Sequence, residues 1–244
     1  MNLDRVIAVR NDKTVYRDGD KCIKVFNSQY GKADVLSEAF NQARIEEIGV
    51  AVPKFISVSM IEDKWAITSE YVKGKTLARL LQENPEKKQD YLSFLVDLQV
   101  SVSEKTCENL NPLNYKLKVK LEKSDLDAEI KKELFSRLEI LEEKQFVCHG
   151  DFNMTNVIID ENKKAYIIDW SHVTKGDACF DFSKTYLLLL LSEDVDGAET
   201  YLEMVYQKTK INKEAVLWWL PFACLSHLNK NGEQVRKILK DYIN

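Results

Sequence analysis

"CHGDFNMTNVIID", residues 148–160, sets one histidine, one glycine, two aspartates and two asparagines in a run whose other members are apolar enough to be buried. A polar group buried without a partner costs about 1–3 kcal/mol, so the cluster requires internal hydrogen bonds or a ligand. "QFVCHG", "NVIID" and, further on, "KAYIID" read as short strand-like pieces joined by loops, and the loops carry the polar residues. Asp151 and Asn156 stand five apart on one such loop, and Asp169 follows thirteen residues after Asn156, at the end of "AYII". Carboxylate and amide oxygens are hard ligands that suit Mg2+, an ion that keeps waters and shares its coordination with phosphate. The stretch therefore predicts a loop that handles a metal and a nucleotide.

Upstream, residues 4–10 and 14–26 are rich in Val, Ile, Tyr and Phe, and Asp18-Gly19 marks a tight hairpin turn. "KADVLSEAFNQARIEEIG" carries apolar residues at Val35, Leu36, Ala39, Phe40, Ala43 and Ile48, a helical period, with Gly49 where a helix would stop. "VPKFISVSM" and "KWAITSEYV" predict a further strand pair. From Thr76 the period becomes helical in "LARLL", in "YLSFLVDLQVSV", over 124–144 and from Phe180 to the end, with no internal repeat. The expected fold class is α+β: a small antiparallel β lobe with one helix, residues 1–72, then a larger, mainly helical lobe, residues 73–244, joined at the hinge "SEYVKGKTL". On "KCIKVF", read as a central strand, alternation puts Cys22 and Lys24 on one face and Ile23 and Val25 on the other, and a buried lysine needs an anion.

His149-Gly150-Asp151, Asn156 and Ile168-Asp169-Trp170 resemble the H-G-D-x-x-x-x-N and I-D motifs of aminoglycoside phosphotransferases and related choline kinase-like small-molecule kinases, which share the protein-kinase-like fold. The resemblance spans nearly the whole chain. It implies that Asp151 is the catalytic carboxylate that takes or orients the proton of an acceptor hydroxyl, and that Asn156 and Asp169 hold Mg2+. It implies structural support from His149, which props the loop backbone, and from Asp181, which braces the loop through its amides. It makes Lys24 the strand lysine that meets nucleotide phosphates and Glu38 its partner, with Lys21, Glu46 and Glu47 as competitors. Main-chain groups of Ser69 and Tyr71 would receive the base, with Thr68 beside the pocket, and both ATP and GTP stay open. The sequence departs from the protein-kinase pattern in lacking a G-x-G-x-x-G between its first two strands, where Lys13 or Thr14 is a candidate to help hold the phosphates.

Only eleven residues separate Asp169 from Asp181, too few for a segment that seats a peptide, so the expected acceptor is a small molecule: aminoglycoside-, amino alcohol- or sugar-like. Candidates to line its pocket are Trp170, His172, Glu193, Asp194, Asp196, Trp218 and Trp219, although the tryptophans of "AVLWWLPFACL" read better as core and the acids as a solvated turn. A nucleotide-binding regulator with a kinase fold and little transfer activity is the alternative. The 35 basic and 39 acidic residues are mixed along the chain, so no stripe is available for nucleic acid. The apolar runs "YLLLLL" and "AVLWWLPFACL" fall short of the roughly 20 residues that span a bilayer and read as buried helices. The start resembles a strand more than an export signal, and the five cysteines form no C-x-x-C pair. A cytoplasmic protein with reduced cysteines and no obligate protein partner is expected.

Overall fold

The computed structural model describes residues 5–10, 12–228 and 232–243; Asp4 of the first expected strand and Asn11 of the loop after it lie outside the described residues. The first half of the chain forms β1 (Arg5–Val9), β2 (Lys13–Asp18), β3 (Lys21–Phe26), α1 (Lys32–Glu47), β4 (Phe55–Ile61), β5 (Lys64–Glu70), β6 (Gly74–Thr76), α2 (Leu77–Glu83), α3 (Lys88–Ser103) and α4 (Leu113–Lys123). The second forms α5 (Ala128–Glu139), β7 (Phe146–Cys148), β8 (Val157–Asp160), β9 (Ala165–Ile167), β10 (Thr174–Gly176), α6 (Ala178–Leu191), α7 (Val195–Thr209), α8 (Lys213–Leu217), α9 (Leu220–Cys224) and α10 (Gly232–Tyr242). These elements gather into two compact units: residues up to Glu83 with Met154–His172, and Asn84–Asn153 with residues from Val173 on. The lobe change expected at residues 72 and 73 falls inside the first unit, because β6 pairs with β8 and carries α2 along.

In the first unit a five-stranded antiparallel sheet runs in the order β1-β2-β3-β5-β4. Two-residue turns close its hairpins: Gly19 has φ 58° between Asp18 and Lys21, and Glu62 and Asp63 have φ 48° and 60° between Ile61 and Lys64, the left-handed pair such hairpins need. One sheet face packs Phe26 and Ile67 against Val35 and Ala39 of α1. The buried face of that helix is Val35, Glu38, Ala39, Asn41, Gln42 and Ile45, whereas Phe40, expected inside, is 61% exposed. Polar anchoring decides which face turns in: Gln42 Nε2 donates to Pro53 O at 2.7 Å, and Phe55 N–H donates to Glu46 Oε2 at 3.0 Å.

The second unit is mainly helical. Leu92, Leu95, Val96, Gln99 and Val102 give α3 a buried stripe at three- and four-residue spacing. The same rule buries Leu113, Leu117 and Leu121 of α4, a helix that sequence reading left unassigned. "AVLWWLPFACL" is two short helices, α8 and α9, where one was expected: Pro221 has no N–H to donate and its ring opposes the carbonyl of Leu217, so the helix stops and restarts. The short strand β10 pairs with β7, folding back the segment before α6. Among the described residues no helix is long and apolar enough to cross a membrane. All five cysteines are free thiols.

Candidate active site

Strand register brings two lysines to one face of the first unit's sheet. Val15 lies opposite Lys24 and Lys13 opposite Phe26, and residues directly opposed in an antiparallel pair share a face, so Lys13 and Lys24 both point toward α1. There Lys24 Nζ donates to Glu38 Oε1 at 2.7 Å and stands 3.5 Å from Asp169 Oδ1. Lys13 Nζ donates to Asp169 Oδ1 at 3.0 Å and lies 3.8 Å from Glu38 Oε1. Burial alone would push the Lys24 ammonium below its usual range, but Glu38 and then Asp169 outweigh it and hold the group above. The competitors sit elsewhere, Lys21 exposed beside the hairpin turn and Glu46 engaged with Phe55 N–H.

Asp169 reaches this cluster because of how β8 and β9 pair. Val157 opposes Ile167, so Asn156 and Ile168 close the open end of that hairpin, with Ile168 N–H donating to Asn156 O at 2.9 Å. The spacing of thirteen residues noted in the sequence is thus a hairpin that returns Asp169 beside Asn156. Ile167 N–H donates to Ala51 O at 2.9 Å, tying the hairpin to the chain that leaves α1. Asp169 itself adopts φ 68°, a left-handed conformation that aspartate and asparagine tolerate best among residues with a side chain.

The donor set fits magnesium. Among the described residues no three His, Cys, Asp or Glu converge on one point, so a metal would take the Asp169 carboxylate and the Asn156 amide and complete its shell with phosphate and water. Asp169 is 29% exposed, and the buried Glu38 Oε2 has no hydrogen-bond partner among the described residues. At the hinge, Ser69 pairs in the ladder with Cys22 on one side and Phe55 on the other. Tyr71 N–H donates to Asp20 O at 2.8 Å, so whichever main-chain group of that residue meets a base, it is not this N–H. The Arg17 guanidinium lies 4.1 Å above the Tyr71 ring.

In the second unit α6 grips the loop that carries Asp151. Asp181 accepts from His149 N–H at 3.1 Å and from Gly150 N–H at 2.7 Å, one oxygen to each. One turn further along α6, Thr185 Oγ1 donates to Phe152 O at 2.8 Å. The buried His149 accepts from Asp151 N–H at its Nδ1, 3.2 Å away, and Asn153 Nδ2 donates to Asp151 O at 2.9 Å. Gly150 has φ 79°, which suits a residue without Cβ. Burial pushes the Asp181 carboxyl above its ordinary range, against the pull of His149 and of the two N–H groups. Behind this brace Gln99 Nε2 donates to Thr185 and Tyr201 donates to Gln99 Oε1 at 2.6 Å.

Sequence reading missed Thr185, Gln99 and Tyr201; the only signal was the spacing of four between Asp181 and Thr185, one face of a helix. Of the candidates for the pocket, Trp219 follows the reading as core and Asp194 has a capping role. Asp194 caps α7 through Gly197 N–H and pairs with Lys88 at 2.5 Å, and Trp219 is buried core. Trp170, also buried, donates its Nε1–H to Ile167 O at 3.0 Å.

A sheet whose strand lysine pairs with a helix glutamate and an aspartate closing a β-hairpin, and a helical unit bracing an H-G-D loop, define a phosphotransferase of the protein-kinase-like fold. The chain belongs to the phosphotransferase enzyme family (APH), whose sequence profile matches residues 5–207. Membership places it among small-molecule kinases and against the alternative of a regulator. A search of curated protein sequences found no match. Among solved structures, the aminoglycoside phosphotransferase APH(4)-Ia is similar at TM-score 0.72 and 12% identity, over 98% of this chain and 92% of that one. The type VIII aminoglycoside-3'-phosphotransferase gives TM-score 0.66 and 20% identity over 92% of each chain. Choline kinase LicA from Streptococcus pneumoniae gives 0.65 and 16%, over 99% of this chain and 94% of that one. A thermostable APH(4)-Ia mutant is known in a ternary complex with ADP and hygromycin B.

Proposed function

We propose that this enzyme moves the γ-phosphoryl group of ATP to a hydroxyl of a small molecule with the help of Mg2+. The observation that carries the reading is the cluster of two ammonium groups and two carboxylates, Lys13, Lys24, Glu38 and Asp169, linked at 2.7–3.8 Å. Two ammonium groups paired with two carboxylates, one of them partly open to solvent, suit a triphosphate that competes for the ammonium groups. Lys24 and Lys13 would meet phosphate oxygens, with Lys13 supplying charge where a glycine-rich loop would supply amides. Asn156 and Asp169 would hold Mg2+, which when bound neutralises charge on the phosphates. Ser69 and Tyr71 mark the strand end that would receive the base.

Asp151 would accept the proton as the acceptor oxygen bonds to the γ-phosphorus and the bond to the β,γ-bridging oxygen breaks, releasing ADP. The transition state of such transfers is loose, so positioning matters more than basicity, and an ordinary carboxylate suffices. His149 and Asp181 would act on Asp151 through the loop backbone. The acceptor classes that this family reading offers are aminoglycoside-, amino alcohol- and sugar-like alcohols.

The test has two parts. Mg-ATP at saturation is expected to raise the melting temperature, and no rise would remove the nucleotide from the reading. Labelled ATP with a panel of small alcohols is expected to give a phosphorylated product with the wild type and none with Asp151→Ala; undiminished transfer by that variant would strip Asp151 of its role.

A further inference from the structure

Asp151 sits in a loop that α6 holds on both sides. Before it, the Asp181 carboxylate takes the N–H groups of His149 and Gly150; after it, Thr185 Oγ1 donates to Phe152 O at 2.8 Å. Both holding residues meet one side chain, the buried Gln99 of α3. Its Nε2 donates to Thr185 Oγ1 at 3.0 Å, and a further side-chain hydrogen bond from Gln99 steadies the Asp181 carboxylate. From the other side the buried Tyr201 of α7 donates to Gln99 Oε1 at 2.6 Å.

Counting protons gives this chain of bonds a direction. The Thr185 hydroxyl has one proton and three oxygens in reach, Phe152 O at 2.8 Å, Asp181 O at 3.3 Å and Gln99 Oε1 at 3.4 Å. With Gln99 Nε2 turned to Thr185 and Oε1 taken by Tyr201, that proton goes to Phe152 O. Were the amide turned over, Oε1 would draw the Thr185 proton, Phe152 O would lose this donor, and the Tyr201 proton would lose its acceptor. Asp181 and Thr185, four residues apart on one face of α6, thus depend on the same amide, and its orientation depends on a hydroxyl of α7.

We propose that Gln99, oriented by Tyr201, is a positioning residue for phosphoryl transfer. It sets both grips of α6 on the backbone of residues 149–152, and so the place of the Asp151 carboxylate between them. The inference rests on Asp151 as the acceptor-facing carboxylate. Gln99, Thr185 and Tyr201 act through the loop, so their loss slows the step that Asp151 serves and spares nucleotide binding, whose proposed residues Lys13, Lys24 and Asp169 belong to the first unit.

The full-length enzyme is assayed with labelled Mg-ATP and hygromycin B, choline or glucose as acceptor. Thr185→Val, which keeps the shape and removes the hydroxyl, and Gln99→Leu are each expected to lower kcat about tenfold or more while the KM for ATP holds. Tyr201→Phe should lower it less, and it carries the test of Gln99 if Gln99→Leu does not fold. Thr185→Ser, which keeps the hydroxyl, should restore most of the rate. Hydrogen exchange reads the loop directly: amides of residues 149–153 should exchange about tenfold faster in Thr185→Val and Tyr201→Phe than in the wild type, with those of the five-stranded sheet unchanged. Unchanged loop exchange, a kcat unmoved in the folded variants, or a Thr185→Ser as slow as Thr185→Val overturns the inference and leaves the phosphotransfer reading standing. A wild type that phosphorylates none of the three alcohols and gains no thermal stability with Mg-ATP overturns both.

Discussion

Asp169 and Asp181 stand twelve positions apart in the chain and do opposite work. Asp169, in the first unit, is 29% exposed and faces two ammonium groups whose distances, 3.0 and 3.5 Å, leave room for exchange. Asp181, in the second, is 1% exposed and holds two peptide N–H groups that cannot leave. The first carboxylate sits among charges that a ligand can replace; the second is fixed to backbone that a ligand cannot. On the function proposed above, one aspartate would answer to nucleotide and metal, while the other serves the fold.

The same substitution at both positions breaks or confirms that contrast. Asp169→Asn keeps the shape and tolerates φ 68°, so stability should fall by less than in Asp181→Asn although one carboxylate facing Lys13 and Lys24 is lost, while phosphoryl transfer falls about 100-fold or more, ~3 kcal/mol of transition-state stabilisation. Asp181→Asn turns an NH2 toward a peptide N–H in a buried place, and chemical denaturation should show a loss of about 2–4 kcal/mol. Equal stability losses in the two variants would erase the distinction.

Gly74 extends the contrast to the backbone. A Cβ there would lie 2.2 Å from the Ile159 carbonyl oxygen and 2.8 Å from its carbon, because β6 and β8 approach closely at the end of the hinge. Gly74→Ala should cost about 1–3 kcal/mol in denaturant unfolding, the range for an overpacked site. A smaller effect is expected of Lys13→Met. It removes one of the two cations near Asp169 but leaves the Lys24–Glu38 pair, so nucleotide affinity measured by calorimetry should fall about tenfold, ~1.4 kcal/mol. An unchanged affinity would confine Lys13 to packing.

The motif at 148–160, the alternation in "KCIKVF" and the turn at Asp18-Gly19 are local patterns with a direct spatial meaning and were enough to read the two kinds of architecture and a buried Lys24 in need of an anion, whereas Glu38 as its partner came from the family resemblance. Lys13 was legible only as a candidate, with Thr14, to help hold the phosphates between the first two strands. Its place beside Asp169 follows from a strand register and a hairpin 156 residues away, which no local pattern encodes. The inward face of α1 was misjudged at Phe40 for a related reason: polar anchors to Pro53 and Phe55, invisible in a hydrophobic period, set the helix rotation. Adjacent short elements such as β6 and β10, three residues each, carry too few positions for any period to register.

Lys24 and Lys116 sharpen the comparison of the two units through their charge. Both are largely buried, yet Glu38 and Asp169 hold Lys24 above its ordinary range, while burial, Lys120 and Lys184 drive Lys116 down to about 7 from 10.5. A lysine whose folded value is raised contributes stability that is full below the unfolded value and is lost as pH climbs through the folded one. For a depressed lysine the sign reverses: between pH 7 and 10.5 the unfolded chain binds the proton that the folded one has given up, so stability rises with pH across that window. Lys116→Met should therefore be more stable than the wild type at pH 6, by on the order of 1–2 kcal/mol, and the gap should close toward pH 10. Lys24→Met should be less stable at both values, since its pair persists through that range. Urea unfolding of the two variants at pH 6 and pH 9 reads the difference, and a Lys116→Met variant that is destabilised at pH 6 would show that the Lys116 ammonium is a net stabilising group.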